Sequence, residues 1–241
     1  MKFDRSVLGG LWSVLNPLAQ VAIFALILSN VLEAKIGDIK NQYSFAIYLC
    51  AGFTCWSLFN AIVERSLSVF ITNGELIKKA AFPKIVLLAN VVCGALVDNL
   101  FLLLAVLVLY LLSGFEIPVV YLGLLPVLLT LTVMLATGIG LILGVLNTFI
   151  RDVGQITQIL LQVLFWFTPI VYPLNIVPEK LQHLMMFNPV YPLVNAYQKI
   201  LVFQILPDFE ALFATFVLSA GVLALGGGLY SKAADDMADI L

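Results

Sequence analysis

The sequence predicts an all-α polytopic membrane protein with six transmembrane helices, a cytoplasmic amphipathic helix, and two short outer-face helices between helices five and six. Hydrophobic residues make up 62% of the 241 residues and charged residues 11%, against about 45–50% and about 25% in ordinary soluble domains. The apolar residues fall into six runs, each long enough for a membrane crossing. We expect one domain over residues 1–241, with crossings at about 10–32, 44–63, 85–112, 119–147, 154–172 and 209–230.

The first apolar run lacks an early small-residue cleavage site, so we expect it to stay as a transmembrane helix rather than be removed as a signal peptide. Asn16 followed by Pro17 has the pattern of a helix start. Two interpretations remain open. Either a short interfacial helix precedes Pro17, or one kinked helix runs from about residue 10 to residue 32.

Residues 64–84 are the most charged interval of the interior chain, and apolar residues are interspersed at helical spacing. Asn73-Gly74 and Pro83 interrupt the interval. This pattern predicts a short amphipathic helix in or just below the lipid headgroups. A basic anchor for anionic lipid is a compatible alternative.

The third run places Asp98 near the expected middle of the bilayer. An ionised carboxylate there costs about 2.5–3.5 kcal/mol on insertion scales, so we expect it to be neutral, paired or facing water. Asp98 has two possible roles. It belongs to a transport path, or it makes hydrogen bonds in packing with Asn99 or another helix.

The fourth run has no charged residue, and its Gly140 and Gly144 form a G-x-x-x-G pattern. Such spacing lets two helix backbones approach closely. No predicted strand or turn precedes the glycines, which argues against a dinucleotide-binding loop. We therefore predict close helix packing at this point.

The fifth run carries three glutamines, Gln155, Gln158 and Gln162, at i, i+3 and i+7, and Trp166 extends the same face by one more turn. This face either meets something wetter than lipid or gives its amides to neighbouring helices. Arg151-Asp152 stands before the run. The pair is either an interfacial anchor or a contact to a partner protein.

Residues 174–208 are apolar and aromatic but are interrupted by four prolines. Asn188-Pro189 has the cap-then-proline pattern of a helix start. We expect two short helices, at about 179–187 and 189–202, that dip into the outer leaflet or lie on it. Non-helical joints at membrane depth require contact with protein or a water-filled cavity.

The sixth run is followed by an acidic tail at residues 231–241. Six crossings place both termini on the same side. With the termini inside, the inner segments hold eight of the 12 basic residues and the outer segments hold four. The excess of basic residues predicts cytoplasmic termini.

The sequence lacks the motifs of a phosphate loop, a zinc protease helix, a C-x-x-C pair and a nucleophile elbow. The three cysteines lie in apolar runs and predict packing rather than disulfides, and His183, the one histidine, has no clustered metal-ligand partner. We expect no enzyme, no bound metal or cofactor and no nucleic-acid partner. The energy for any uphill transport must come from an ion gradient or from another chain.

Five segments in register carry a resemblance that covers nearly the whole chain. They are L-G-G-L-W-S-V-L-N-P-L (8–18), N-G-E-L-I-K-K-A-A-F-P-K (73–84), L-N-T-F-I-R-D-V (146–153), F-W-F-T-P-I-V-Y (165–172) and N-P-V-Y-P-L-V-N-A-Y (188–197). Together the segments resemble the ABC type-2 transporter permeases. That family exports polysaccharides and polyol phosphates, such as the O-antigen of lipopolysaccharide, capsule and teichoic acid.

The resemblance implies a multi-pass protein of the bacterial inner membrane, a homodimer that binds two copies of a separate ATP-binding cassette subunit. ATP and Mg²⁺ then belong to that partner. The resemblance also implies a coupling helix that docks on the ATPase, with the loop between the fourth and fifth crossings close by. The implied coupling residues are Asn73, Gly74, Glu75, Lys78, Lys79, Arg151 and Asp152.

The resemblance further implies a continuous channel for a lipid-linked glycan, bounded by lipid, beneath short helices at the outer face. Two aromatic stripes agree independently with this channel: the glutamine face that ends in Trp166, and one side of the second run, which holds Phe53, Trp56, Phe59 and Asn60. Aromatic faces stack on sugar rings, and amides exchange hydrogen bonds with hydroxyls. The expected lining residues are Trp56, Phe59, Gln158, Gln162, Trp166 and Tyr172. The expected outer gate consists of Asn188, Pro189 and Tyr191.

The chain departs from the family pattern at its start. Members usually begin with a longer amphipathic interfacial helix and a basic run, whereas seven residues precede Leu8 here. Either the sequence is shortened or this member lacks that element. How the lipid carrier is recruited at the cytoplasmic interface is therefore left open.

Three functions are compatible with these features. The leading hypothesis is the membrane subunit of an ATP-driven glycan exporter. The second is a type-2 exporter of drugs or simpler lipids, which the aromatic stripes disfavour. The third is a gradient-driven carrier that uses Asp98 as its proton site.

Overall fold

The computed structural model describes residues 15, 19, 22, 23, 44–77, 85–114, 119–174 and 177–240. Of the predicted first crossing, 10–32, only residues 15, 19, 22 and 23 are described, and each is helical. Lys78 and Lys79 of the expected coupling segment lie outside the described residues. Over the described ranges the chain is helical and contains no strand.

In chain order the helices are α1 (Ser44–Thr72), α2 (Gly74–Ile77), α3 (Ile85–Ser113), α4 (Val119–Leu122), α5 (Leu125–Phe149), α6 (Asp152–Trp166), α7 (Glu179–Met186), α8 (Tyr191–Gln198) and α9 (Phe209–Ile240). A π-helical turn, Lys199–Phe203, continues α8. Within the described part of the chain, four helices are long and apolar enough to cross a membrane: α1, α3, α5 and α9.

Helix α1 continues nine residues beyond residue 63, the predicted end of the second crossing. The buried face continues through Leu67, Val69 and Phe70, which the prediction assigned to a separate amphipathic helix. The break comes at Asn73. Its side-chain amide donates to the Val69 carbonyl at 2.8 Å, and its own carbonyl accepts the N–H groups that begin α2.

The predicted fourth crossing, 119–147, is divided into α4, a turn and α5. Pro126 lies in the first turn of α5, where a missing N–H costs no hydrogen bond. Helix α5 then continues to Phe149, two residues beyond the predicted end.

The predicted fifth crossing, 154–172, ends early as a helix. Helix α6 contains 15 residues and ends at Trp166, so its length is about 22 Å, less than the ~30 Å of a hydrocarbon core. Residues 167–173 form turns and bends, and we call them the Pro169 turn. A residue before proline avoids the α conformation, which explains why the helix stops before Thr168-Pro169.

Both short helices occur where they were predicted, but α8 begins later than expected. Its N-cap is Val190 and Pro192 lies in its first turn, rather than Pro189. Leu193, Val194 and Tyr197 are fully buried, because α8 packs against α1. The joint before α8 has Asn188 and Val190 buried, while Phe187 beside them is exposed.

Helix α9 continues through the predicted acidic tail to Ile240, ten residues beyond the predicted end of the sixth crossing. Ala233 and Met237 are buried there, in an apolar cluster with Phe70 of α1 and Ile77 of α2. Burial of these apolar positions explains why α9 continues through the tail, which the acidic residues alone did not predict.

The glycines of α5 set its packing, as the G-x-x-x-G pattern predicted. A Cβ at Gly140 would lie 2.7 Å from the Ser66 hydroxyl of α1, and a Cβ at Gly144 would lie 2.5 Å from the Ser66 carbonyl oxygen. On the other side, a Cβ at Gly138 would lie 2.7 Å from the Leu223 nitrogen of α9. Helix α5 is therefore held between α1 and α9 at backbone distance.

Helix α3 packs on α1 and leaves an apolar face exposed, which includes Leu100, Leu104 and Val108. Such a face suits lipid. Cys93 is also exposed, so the prediction that all three cysteines are packing residues is wrong for this one. Cys50 and Cys55 are buried and free.

The contacts define two ends of the molecule. At the Pro169 end, Tyr48 near the start of α1 reaches the Pro169 turn and stacks edge-on with Phe203. At the Asn147 end, Asn147 joins the C-terminal parts of α1 and α5. Phe70 of α1 stacks on Tyr230 of α9 there. Helix α2 and the Arg151-Asp152 pair belong to this second end.

Candidate functional site

Helix α6 buries one narrow face, flanked by half-buried Val153, Gly154, Leu164 and Phe165, and exposes its other residues. Thr157 and Leu161 are its buried residues. The glutamine face is exposed, and Trp166 at its end is 59% exposed. We call this line, Gln155, Gln158, Gln162 and Trp166, the amide stripe.

A second exposed strip lies beside the amide stripe on α6. Its side chains are all aliphatic and each is more than half exposed: Ile156, Ile159, Leu160 and Val163. One helix therefore presents two neighbouring surfaces of opposite polarity. The aliphatic strip suits lipid or an apolar protein surface, whereas each amide of the stripe offers two donors and an acceptor.

Aromatic rings support the stripe from behind. Trp56 is 6% exposed and Phe59 1% exposed, so neither reaches the surface of this chain. The Trp56 ring lies 5.5 Å from the Phe165 ring, which lies 5.5 Å from the Trp166 ring. The Tyr172 hydroxyl donates to the Trp166 carbonyl at 2.5 Å. These contacts hold the Trp166 end of α6 in place and leave the indole exposed.

The Pro169 turn is held by side chains from distant parts of the chain. Gln198 donates to the Pro169 carbonyl at 3.0 Å, and the Tyr48 hydroxyl lies 3.2 Å from both the Pro169 and the Tyr172 carbonyl oxygens. A Cβ at Gly52 would lie 2.9 Å from the Gln198 amide nitrogen. Glycine at that position gives the amide its space.

Asn188 fastens the same turn from the other side. Its amide donates to the Thr168 hydroxyl at 2.7 Å, and its side-chain oxygen accepts the Val190 N–H at 2.9 Å. Asn188 is buried, while Pro189 and Tyr191 are partly exposed. Burial raises the pKa of the Tyr191 hydroxyl, so it is neutral near pH 7. Sequence reasoning missed Tyr48, Thr168 and Gln198, since nothing local marks them.

The Asn147 end brings together the described candidates for a contact with another protein. Glu75 of α2 is exposed, while Ile77 beside it is 1% exposed and anchors α2 in the apolar cluster. Arg151 and Asp152 are exposed at the start of α6, where an acidic residue suits the helix dipole. Asn73 and Gly74 are partly exposed between α1 and α2.

Asp98 is paired. A guanidinium nitrogen of Arg65 on α1 contacts the Asp98 carboxylate on α3, and the two side chains are 29% and 38% exposed. The adjacent Asn99 donates to the Thr54 carbonyl at 2.8 Å. These contacts match the packing role with another helix. Among the described residues, no cluster of His, Cys, Asp and Glu could hold a metal ion.

An apolar groove lies elsewhere, between the first halves of α5 and α9. It has a volume of about 400 Å³ and is lined by Leu, Val, Pro and Phe side chains, including Phe213 and Phe216. Such a lining offers no partner to a hydroxyl group. Of the two surfaces, the amide stripe is the one that suits a hydrated ligand.

Comparison with known proteins identifies related chains. The family described as ABC-2 type transporter matches residues 2–202. The chain is 26% identical over 244 residues to the O-antigen export system permease protein RfbA of Klebsiella pneumoniae, covering 100% of this chain and 90% of that protein. It is 27% identical over 240 residues to the RfbA protein of Myxococcus xanthus, covering 99% and 90%. It is 27% identical over 201 residues to the polysialic acid transport protein KpsM of Escherichia coli, covering 80% and 74%.

Proposed function

Because the chain belongs to the ABC-2 type transporter family, we propose that it is the transmembrane permease subunit of an ATP-driven exporter of lipid-linked polysaccharide. The cargo is an O-antigen-like, capsule-like or teichoic-acid-like glycan that crosses the bacterial inner membrane. Relatives of nearly the same length that carry the name O-antigen export permease support this cargo class. The observation on which the proposal depends is the exposed amide stripe of α6.

The stripe suits a sugar chain chemically. Gln158 and Gln162 lie one turn apart, and no hydrogen bond within the described residues occupies their amides. They can therefore exchange hydrogen bonds with successive hydroxyl groups. The broad, apolar face of Trp166, which also carries an N–H donor, offers a stacking surface for a sugar ring. Tyr172 lies next along the path, while Trp56 and Phe59 support it from the interior.

A second copy of the chain completes the passage. Helix α6 is too short to cross a bilayer alone, and its exposed glutamine amides are polar groups that hydrocarbon does not satisfy. Two α6 helices facing each other across a hydrated passage would place the amide stripes toward the glycan. The aliphatic strips would then lie against lipid or the partner copy.

The driving force comes from a separate ATP-binding cassette subunit, which binds ATP and Mg²⁺ and is the enzyme of the complex. We assign its docking surface to Asn73, Gly74, Glu75, Lys78 and Lys79, with Arg151 and Asp152 beside it, and both termini on the same cytoplasmic side. Asn188, Pro189 and Tyr191 form the outer gate. Buried Asn188 holds the gate in place through Thr168.

Export in cells tests the proposal. In a strain without its own glycan exporter, this chain together with the cassette ATPase should restore surface glycan, and neither subunit should do so alone. The variant Gln158→Leu/Gln162→Leu should lower export about tenfold, which corresponds to about 1.4 kcal/mol. The variant Ile159→Leu/Val163→Leu is the matched control on the aliphatic strip and should export normally. Export by the chain without an ATPase would refute the proposal, as would equal export by the two double variants.

A further inference from the structure

One side chain joins three helices at the Asn147 end. Asn147 lies in the last turn of α5 and is 7% exposed. Its amide donates to the Leu67 carbonyl of α1 at 2.7 Å, and its side-chain oxygen accepts the Gly154 N–H of α6 at 2.8 Å. The Gly154 N–H also reaches the Arg151 carbonyl at 3.2 Å, so Asn147 gives the first turn of α6 a second and shorter bond, made from another helix.

The fit around this side chain is tight. A Cβ at Gly154 would lie 2.9 Å from the Asn147 side-chain oxygen. Three residues before Asn147, the contact of Gly144 with Ser66 already sets α5 against α1 at backbone distance. The Gly144 contact therefore fixes α1 to α5, and Asn147 extends the same rigid contact to the first turn of α6.

The two bonds of Asn147 lead to different surfaces. Five residues after Leu67, α1 ends at Thr72, and Glu75 is exposed in α2, which begins at Gly74. One residue after Gly154, the amide stripe begins at Gln155. Because α6 buries only Thr157 and Leu161, its position depends strongly on how its first turn is held.

We propose that Asn147 is a positioning residue that makes the end of α1 and the start of α6 move together. A displacement of α2 by a bound ATPase then reaches the amide stripe through the Leu67–Asn147–Gly154 bonds. The part of this inference that concerns the ATPase rests on the proposed function. The mechanical link between α1 and α6 does not.

The test compares Asn147→Leu with Thr148→Val in the complete permease–ATPase complex in lipid vesicles. Leucine has the same number and branching of side-chain heavy atoms but makes neither bond. Thr148 is the adjacent buried residue, and its hydroxyl bonds only within α5, to the Gly144 carbonyl at 3.0 Å. The control therefore loses one buried hydrogen bond without losing a link between helices.

We expect Asn147→Leu to keep the amount of complex and its ATP hydrolysis within about twofold of wild type, while glycan exported per ATP falls about tenfold. Thr148→Val should match wild type in export per ATP. Gly154→Ala should also lower export per ATP, and combining it with Asn147→Leu should add little, since both break the same contact. A proportional loss of complex, hydrolysis and export would show a merely structural role and overturn the proposal.

Hydrogen exchange separates this inference from the proposed function. Amides in the first turns of α6 should exchange faster in Asn147→Leu and at the wild-type rate in Thr148→Val, whichever cargo the complex moves. An unchanged exchange rate in Asn147→Leu would overturn the link between α1 and α6. If the exchange result holds but the wild-type complex moves no glycan, the link stands and the cargo assignment fails.

Discussion

At the scale of single residues, the Arg65–Asp98 pair explains how a carboxylate is accommodated within the apolar helix α3. The guanidinium supplies the opposite charge that the ionised carboxylate needs at membrane depth. Gly94, one turn before Asp98, gives the guanidinium its space, since a Cβ there would lie 3.3 Å from the other terminal nitrogen of Arg65. The pair therefore fastens α3 to α1.

Neutralising one member of the pair should destabilise the protein more than neutralising both. In Asp98→Asn the arginine loses its counter-charge, and in Arg65→Gln the carboxylate loses its counter-charge. The double variant Arg65→Gln/Asp98→Asn instead leaves two amides that can hydrogen-bond to each other. The coupling energy should be on the order of 1 kcal/mol, because both groups are partly exposed. Thermal unfolding of the four purified proteins in detergent measures it.

Export by the same variants gives the functional control. Asp98→Asn should retain glycan export in proportion to the amount of folded protein. Loss of export at a normal protein level would contradict the structural role of Asp98 and revive the carrier hypothesis.

At the scale of elements, α5 is positioned by glycines and α6 by hydrogen bonds. Helix α5 has contacts at backbone distance on two sides, with α1 and α9. Helix α6 is instead held at its two ends, by Asn147 at one end and by the bonds to the Pro169 turn at the other. A helix held in this way keeps most of its length free for a ligand or a partner copy.

Alanine at Gly144 should destabilise the protein by about 1–3 kcal/mol, the usual cost of overpacking, because its Cβ would meet the Ser66 carbonyl oxygen. Gly221 of α9 is the matched control, since a Cβ there meets nothing within 4 Å. Gly221→Ala should be neutral or slightly stabilising, as alanine favours helix more than glycine does. The thermal unfolding midpoints of the two variants should therefore shift in opposite directions, or only that of Gly144→Ala should shift.

The bonds to the Pro169 carbonyl should act together. Tyr48→Phe leaves Gln198 as a donor, and Gln198→Leu leaves Tyr48, so each single variant should lose little stability. The double variant leaves a buried carbonyl without a side-chain donor, which costs about 1–3 kcal/mol. A double-variant loss equal to the sum of the single losses, measured by thermal unfolding, would contradict the shared role.

At the scale of the whole molecule, the contacts separate two ends that the membrane should keep apart. Helix α2 and the start of α6 lie at the Asn147 end, whereas the Pro169 turn and α8 lie at the other. If the distribution of basic residues sets the orientation, the Asn147 end faces the cytoplasm. The ATPase contact and the outer gate then fall on opposite sides of the bilayer.

Cysteine labelling tests this orientation. In a Cys93→Ser background, which removes the exposed native thiol, a membrane-impermeant maleimide should label Glu179→Cys in cells with a permeable outer layer and an intact inner membrane. Glu75→Cys should react only after the inner membrane is opened. Both positions are exposed in the structure, so the reverse pattern would mean that the proposed topology is inverted.

The sequence by itself determined the membrane class, the family, the glutamine face of α6 and the glycine packing of α5. The family was recognised by the resemblance of five segments, whereas the other three depend on composition or on spacing within one helix, since a helix repeats its faces every few residues. The same local reasoning misplaced helix ends. Apolar positions in the acidic tail and beyond residue 63 extend α9 and α1, because burial against other helices outweighs local charge.

Only the tertiary structure decided which residues hold the site in place. Arg65 and Asp98 are 33 residues apart, Leu67 and Asn147 are 80 apart, and Tyr48 and Pro169 are 121 apart. No local pattern marks such pairs, since their partners are chosen by how the helices pack. For the same reason the expected lining residues divide into exposed Gln158, Gln162 and Trp166, half-buried Tyr172, and buried Trp56 and Phe59. Periodicity predicts which residues share a face of one helix, and packing decides whether that face is covered.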